Sequence, residues 1–249
     1  MNIDKKYYQE INENLTNTIQ DTNISAPNKK VGKVRDAYFL NDKVVMISTD
    51  RQSAFDRVLA AIPYKGAVLN SVSAWWFKKT EHLFPNHLIS TPDPNVSIVE
   101  KCTVFPVEFV VRGYITGTTD TSLWTVYNNG DREYCGNSLP EGLKKNDKLD
   151  KPMLTPTTKD KVHDRPVSRE EIIDLGLMSA EDYDLAAKMS LDLFAFGQET
   201  AKKNGLILVD TKYEIGTDSK GKIKFVDEIH TPDSSRFWIS SSYKDRINS

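Results

Sequence analysis

Leu206-Ile207-Leu208-Val209-Asp210-Thr211-Lys212-Tyr213-Glu214-Ile215 follows Gly205, and Ile223-Lys224-Phe225-Val226-Asp227-Glu228-Ile229 returns after a polar turn over 217–222. Two β-rich runs joined by a short turn read as an antiparallel hairpin. Strand side chains alternate between faces, so Asp210, Lys212 and Glu214 share one face and Val209, Thr211 and Tyr213 the other. Three ionisable residues in a row are unusual for a strand that begins as Leu-Ile-Leu-Val. Oxygen ligands such as Glu214 and Asp227 suit Mg²⁺, which takes one or two carboxylates and completes its shell with water and phosphate oxygens. A solvated hairpin face with cross-strand ion pairs has the same pattern. The hairpin alone leaves both readings open.

Working back from the hairpin, residues 179–204 form the clearest helix. Ser179 stands as an N-cap, Glu181 and Asp182 supply an acidic first turn, and Gly205 marks the stop. Tyr183, Ala186, Ala187, Met189, Ser190, Leu193, Phe194 and Phe196 make its apolar face. Ser168-Arg169-Glu170-Glu171 opens another helix with a capping-box pattern. The stretch 128–156 is polar and broken by glycine and proline, which reads as a long loop of the kind used for lids or insertions. Residues 106–113 read as a strand with Pro106 at its entry. Nearer the N-terminus, 31–40 and 43–48 flank Asn41-Asp42 as a second hairpin. Helical spacing is present over 5–19 and 70–82, and short strands over 88–91 and 97–103. The expected fold class is α+β, with antiparallel sheets in two lobes spanning about 1–110 and 111–249.

Composition narrows the function. In 249 residues the apolar share is 39% and the charged share 27%, a globular balance. A net charge of −2 and a pI near 6.1 give no positive field to recruit nucleic acid or an anionic membrane. Cys102 and Cys135 are too few for a disulfide framework and fit reduced thiols in the cytoplasm. No stretch approaches the roughly 18 apolar residues that span a bilayer. Neither a G-x-S-x-G elbow, an H-E-x-x-H pair, a G-x-G-x-x-G turn nor a Walker A loop is present.

Four further segments carry groups for anion chemistry, each with a plainer alternative. Gly32-Lys33-Val34-Arg35 sets a glycine beside two cations, as a phosphate cover or as an exposed basic edge. Arg112-Gly113-Tyr114-Ile115-Thr116-Gly117-Thr118 delivers an arginine to a strand end, as an anion pocket or as a glycine-rich turn. Thr231-Pro232-Asp233-Ser234-Ser235-Arg236 and Ser48-Thr49-Asp50-Arg51-Gln52-Ser53 read as anion contacts or as turn chemistry. Lys159, His163 and Asp164 lie in a polar loop.

Taken in order, these segments resemble the SAICAR synthetase family. Gly32-Lys33-Val34-Arg35-Asp36, Ser48-Thr49-Asp50-Arg51 with Ser53-Ala54-Phe55-Asp56, and Lys65-Gly66 to Asn70 are similar to its opening. Pro106-Val107-Glu108-Phe109-Val110-Val111-Arg112 with Thr116-Gly117-Thr118 is similar to its first signature, with Thr118 where serine is usual. Leu208 to Gly216 is similar to its second, with Ile215 where phenylalanine is usual. The likeness runs from Gly32 to Trp238. It implies a SAICAR-synthase-like fold with an ATP cleft between lobes, akin to kinases and ATP-grasp enzymes. It also implies an ATP-dependent carbon–nitrogen ligase that joins L-aspartate to carboxyaminoimidazole ribonucleotide, with Mg²⁺ as cofactor and no nucleic acid or membrane partner.

By the same resemblance, Gly32, Lys33, Arg35, Glu108 and Lys212 attend ATP, while Glu214 and Asp227 ligate the metal. Arg112, Thr118, Ser235, Arg236, Ser53 and Lys159 contact substrate. Lys212, Asp210, Asp50 and Asp164 are implied in catalysis. A small-molecule kinase on a related scaffold would share these features but turn over without aspartate. A nucleotide-binding sensor would have no need of the paired carboxylates.

Overall fold

The computed structural model describes residues 5–26, 28–54, 57–159 and 165–247. Its contacts divide the chain into two units, Met1–Lys79 with His87–Lys101 and Thr80–Asn86 with Cys102–Ser249. The strand through residue 110, where the two lobes were expected to meet, lies whole within the second unit.

The first unit comprises α1 (Lys5–Glu13), β1 (Lys29–Val31), β2 (Arg35–Phe39), β3 (Lys43–Ser48), β4 (Arg51–Ala54), β5 (Arg57–Ala61), α2 (Lys65–Thr80), β6 (Leu88–Asp93) and β7 (Val96–Glu100). Five strands form an antiparallel sheet in the order β1-β2-β3-β7-β6, and β4 pairs with β5 separately. The stretch expected as one strand over 31–40 is broken at residues 32–34, where the chain folds back so that β1 pairs with β2. α1 stops at Glu13, short of the expected 19. Beyond it, Asn14 bonds the Glu10 carbonyl and Asn17 bonds Asn14, local contacts that compete with helix. α2 begins at Lys65, ahead of the expected 70, because the Asp50 carboxylate accepts the Gly66 N–H from a distant part of the chain. That remote cap has no local sequence signature.

The second unit comprises β8 (Thr103–Tyr114), α3 (Leu123–Asn128), β9 (Glu133–Tyr134), β10 (Asn137–Ser138), β11 (Lys148–Leu154), β12 (Thr157–Thr158), α4 (Arg169–Asp174), α5 (Ala180–Lys203), β13 (Leu206–Thr217), β14 (Ile223–Val226), β15 (Ser235–Ile239) and α6 (Ser240–Ile247). The main sheet runs β11-β8-β13-β14, with β12 also on β8 and β15 also on β13, all antiparallel. α5 packs on β13 and β8. Phe109, Val111, Tyr213, Ile215 and Phe225 are buried in this unit, as are Tyr183, Ala186, Leu193 and Phe194 of α5. Each large apolar side chain taken from water contributes about 1.5–3 kcal/mol, so this face fixes which side of β13 is left open.

Three expectations change here. β8 begins at Thr103, so Pro106 is inside the strand rather than at its entry. The register shifts between Glu214 and Gly216 opposite it, and a bulge of this kind tolerates the missing N–H. The polar stretch 128–156 is not a bare loop. It carries β9, β10 and β11, and its Tyr134, Leu139 and Leu149 join Ile115, Leu123 and Tyr127 from just before it in a small core. β14 ends at Val226 instead of continuing to 229, because Asp227 turns into the left-handed region at φ 59°. Among the described residues no helix is long and apolar enough to cross a membrane.

Candidate active site

In the second unit, Tyr213 and Thr211 turn into the core side of β13 and put Asp210, Lys212 and Glu214 on the other face, where Asp210 is buried and Lys212 and Glu214 are half-buried. Register adds what alternation could not. Glu214 lies directly opposite Glu108 on β8 and Val226 on β14, so Asp227 follows immediately beside it. Like charges opposed across a ladder destabilise it. Two lysines offset them: Lys212 Nζ is 2.7 Å from Glu108 Oε1 and 3.8 Å from Glu214 Oε1, and Lys159 pairs with Glu214 Oε2.

The electrostatics follow from this crowding. Burial, and then the Asp227 charge, push the Glu214 carboxyl above its usual range against the pull of Lys159 and Lys212. Burial works to lower the Lys212 pKa, but the Glu108, Glu214 and Asp227 charges outweigh it and hold the ammonium protonated. Among the described residues no three acidic, His or Cys side chains form a closed metal cage. Glu214 with Asp227 is a two-carboxylate arrangement, which fits a hard divalent cation that keeps water and phosphate oxygens in its shell.

One step along the same face, Asp210 pairs in register with Arg112 on β8 and Arg236 on β15. Arg112 Nε bonds Thr155 Oγ1 at 2.9 Å, and Arg236 Nη1 is 3.6 Å from Asp210 Oδ2. That Oδ2 is buried and accepts no hydrogen bond. Burial raises the Asp210 pKa, and Arg236 and Arg112 pull it back. Two guanidinium groups on the strands that flank β13, one on either side of Asp210, make a place for a dianion.

The remaining predicted residues are dispersed. Ser235 aligns with Thr211, not with Asp210, and its hydroxyl lies 2.6 Å from Thr211 Oγ1. Its neighbours Thr231 and Ser234 are bonded to each other, and Thr231 donates to Glu228. Thr118 is exposed in the loop after β8. Asp164 lies outside the described residues. A cavity of about 430 Å³ is lined by Thr116, Asn146, Trp238, Tyr243 and Arg246 among others, and none of the carboxylates above faces it.

In the first unit, Gly32, Lys33 and Arg35 occupy one tight turn, closed by the Gly32 N–H on the Arg35 carbonyl at 2.8 Å. A Cβ on Gly32 would stand 2.7 Å from that carbonyl, so the turn requires glycine. Lys33 is exposed, and Arg35 Nε bonds Ser48 Oγ at 3.2 Å. Asp50 is buried with each oxygen taken by a backbone N–H, from Ile19 and from Gly66. Ser53 is half-buried on β4. Sequence reading passed over Arg51, which is nearly buried beside this turn, and Thr155, which orients Arg112. Both act through contacts far apart in sequence, so the segment holding Arg51 gives it no role by itself and Thr155 has no local signal.

A family model described as SAICAR synthetase matches residues 28–249. The phosphoribosylaminoimidazole-succinocarboxamide synthase of Legionella pneumophila (strain Lens) is 57% identical over 230 residues, covering 92% of this chain and 74% of that relative. A chloroplastic synthase of the same name from Vigna aconitifolia is 56% identical over 238 residues, covering 94% and 70%. Among solved structures, SAICAR-synthase from Saccharomyces cerevisiae complexed with SAICAR superposes with a TM-score of 0.79 at 33% identity, covering 90% of this chain and 81% of that one. A SAICAR synthetase (Type-2) in complex with ADP gives 0.74 at 27% identity, covering 87% and 86%.

Proposed function

The chain belongs to the SAICAR synthetase family, and from that premise we propose how its charged faces divide the work of the reaction. The protein is an ATP-dependent ligase that joins L-aspartate to carboxyaminoimidazole ribonucleotide in purine biosynthesis. In the second unit, Glu214 and Asp227 hold Mg²⁺, and Lys212 with Glu108 lies beside the nucleotide. Arg112 and Arg236, with Thr118, grip the ribonucleotide phosphate, and Asp210 sets the spacing of the two guanidinium groups. In the first unit, the turn at Gly32, Lys33 and Arg35 binds ATP phosphates.

One observation supports the metal assignment: Glu214 pairs with Val226 across the sheet, which sets Asp227 immediately beside it on the partly buried charged face. Two such carboxylates fit a bound divalent cation, which would supply charge neutralisation at the phosphates. Lys159 and Lys212 then hold the remaining negative charge of this face in balance.

A carboxylate resists amine attack at neutral pH. Attack of a ribonucleotide carboxylate oxygen on the γ-phosphorus forms an oxygen–phosphorus bond and releases ADP. The aspartate amine then adds to the activated carbonyl, and phosphate leaves with that oxygen. Positioning and charge stabilisation are what the enzyme must supply, and arginines and lysines are what these faces offer. Turnover with ribonucleotide labelled by ¹⁸O in its carboxylate tests the route. One labelled oxygen in the inorganic phosphate is expected; unlabelled phosphate contradicts it.

A further inference from the structure

Arg51 is nearly buried at the start of β4, and its guanidinium is spent entirely on the glycine turn and its surroundings. Nη2 donates to the Gly32 carbonyl at 2.9 Å and to Asp36 Oδ1 at 2.7 Å; Nε donates to the Lys33 carbonyl at 3.2 Å; Nη1 donates to the Gln20 carbonyl at 2.6 Å. Asp36 is fully buried and anchors the arginine. Burial works to raise its pKa, but Arg51, Thr22 and Lys29 together hold it below the usual carboxylate range. Next along the turn, the Val34 carbonyl accepts both the Thr49 N–H at 2.9 Å and the Thr49 hydroxyl at 2.6 Å. The Arg35 carbonyl accepts from Gly32.

The Gly32, Lys33 and Val34 carbonyls are therefore held by Arg51 and Thr49, and the Arg35 carbonyl closes the turn on Gly32. In a trans planar peptide the N–H points opposite to the carbonyl of the same unit. Holding the Gly32 and Lys33 carbonyls against Arg51 thus aims the Lys33 and Val34 N–H groups away from it, on the exposed side of the turn. Successive outward amides make an anion-binding concavity, and the exposed Lys33 side chain adds its charge.

We propose that Arg51, assisted by Thr49, is a positioning residue that sets the Gly32–Arg35 turn in an amide-outward form for the phosphate chain of the nucleotide. This rests on the reading of that turn as phosphate-binding. The residue touches no substrate itself. It stands to the turn as a template, with Asp36 fixing the template in place. A lysine at this position keeps the charge beside Asp36 but lacks the planar fork that serves three carbonyls at once.

The test uses the intact enzyme and reads three Michaelis constants. In Arg51→Lys, KM for ATP should rise roughly tenfold or more, while KM for aspartate and for the ribonucleotide stays near the wild-type value. Thr49→Val removes one hydroxyl bond to the turn and should raise KM for ATP by roughly three- to tenfold; it carries the test if Arg51→Lys does not fold. Unchanged KM for ATP in the folded variants overturns the proposal. So does a loss of activity that merely tracks the folded fraction, with the three constants unaltered. Amide exchange on the wild-type protein separates the underlying reading. ADP should protect the Lys33 and Val34 amides, and absence of protection would remove the turn from the nucleotide site altogether. Protection in the wild type with an unaltered Arg51→Lys would leave the turn in place and reject Arg51 alone.

Discussion

Glu214 sits between two opposing influences, the burial and Asp227 charge that favour its proton and the lysines that favour its loss. A side chain so placed contributes little to stability by being charged, which points to a ligand as the reason for the charge. Glu214→Gln or Asp227→Asn should each abolish ADP release while leaving the thermal unfolding midpoint at or above the wild-type value, since either change relieves like-charge repulsion. Steady-state assay with circular dichroism melting checks this, and full activity in either variant removes the metal assignment. Arg236→Ala should raise KM for the ribonucleotide by roughly ten- to a hundredfold, the range for a lost hydrogen bond to a charged group, with KM for ATP little altered. Unchanged ribonucleotide affinity would take Arg236 out of the pocket. At this scale the sequence was informative where strand alternation alone decides direction, as for Asp210, Lys212 and Glu214. It was uninformative where register decides. That Glu108 opposes Glu214, and that Ser235 sides with Thr211, follows only from how three strands align.

Among the elements, α5 and β13 were legible because both carry their own punctuation. Ser179 caps the helix by accepting the Asp182 N–H, and the strand begins just past Gly205. Gly197 shows what such punctuation leaves out. It lies in the middle of α5, where glycine is unfavourable by about 1 kcal/mol relative to alanine, yet a Cβ there would fall on His230 and within 2.8 Å of Leu208. The helix therefore approaches β13 more closely than any larger residue permits. Gly197→Ala should destabilise the protein by about 1–3 kcal/mol in urea unfolding, as overpacked cores do. A neutral or stabilising effect would mean that His230 moves aside at no cost. The stretch 128–156 was misread for the opposite reason. Its three buried side chains in that core, Tyr134, Leu139 and Leu149, are spread among glycines, asparagines and lysines, with no period to reveal them. Tyr134 is placed by the pairing of β9 with β10, and Leu139 just beyond it by a bond to the Arg132 carbonyl; both strands are too brief to register in sequence.

At the scale of the whole molecule, one buried imidazole makes a distinct contribution to the pH dependence of stability. His230 is fully buried with Nε2 2.5 Å from the Tyr213 hydroxyl, and burial lowers its pKa to about 3. The unfolded chain takes up a proton below pH 6.5 that the folded chain refuses, so the folded state loses stability as pH falls through 6.5 toward 3. Between pH 7 and pH 5 this should cost about 2 kcal/mol, and His230→Gln should lose that much less over the same interval in urea titrations. Equal losses in both proteins would place the proton elsewhere. The fold class, two units with antiparallel sheets, was readable from hairpin and helix signals. The proposed reaction depends on a divalent cation held by Glu214 and Asp227. Calorimetric titration of ADP with and without Mg²⁺, on the wild type, Glu214→Gln and Asp227→Asn, tests it most directly. Mg²⁺ should tighten ADP binding to the wild type by roughly tenfold or more, a differential of about 1.4 kcal/mol, and should leave both variants unmoved. Variants that gain as much from Mg²⁺ as the wild type does would contradict it.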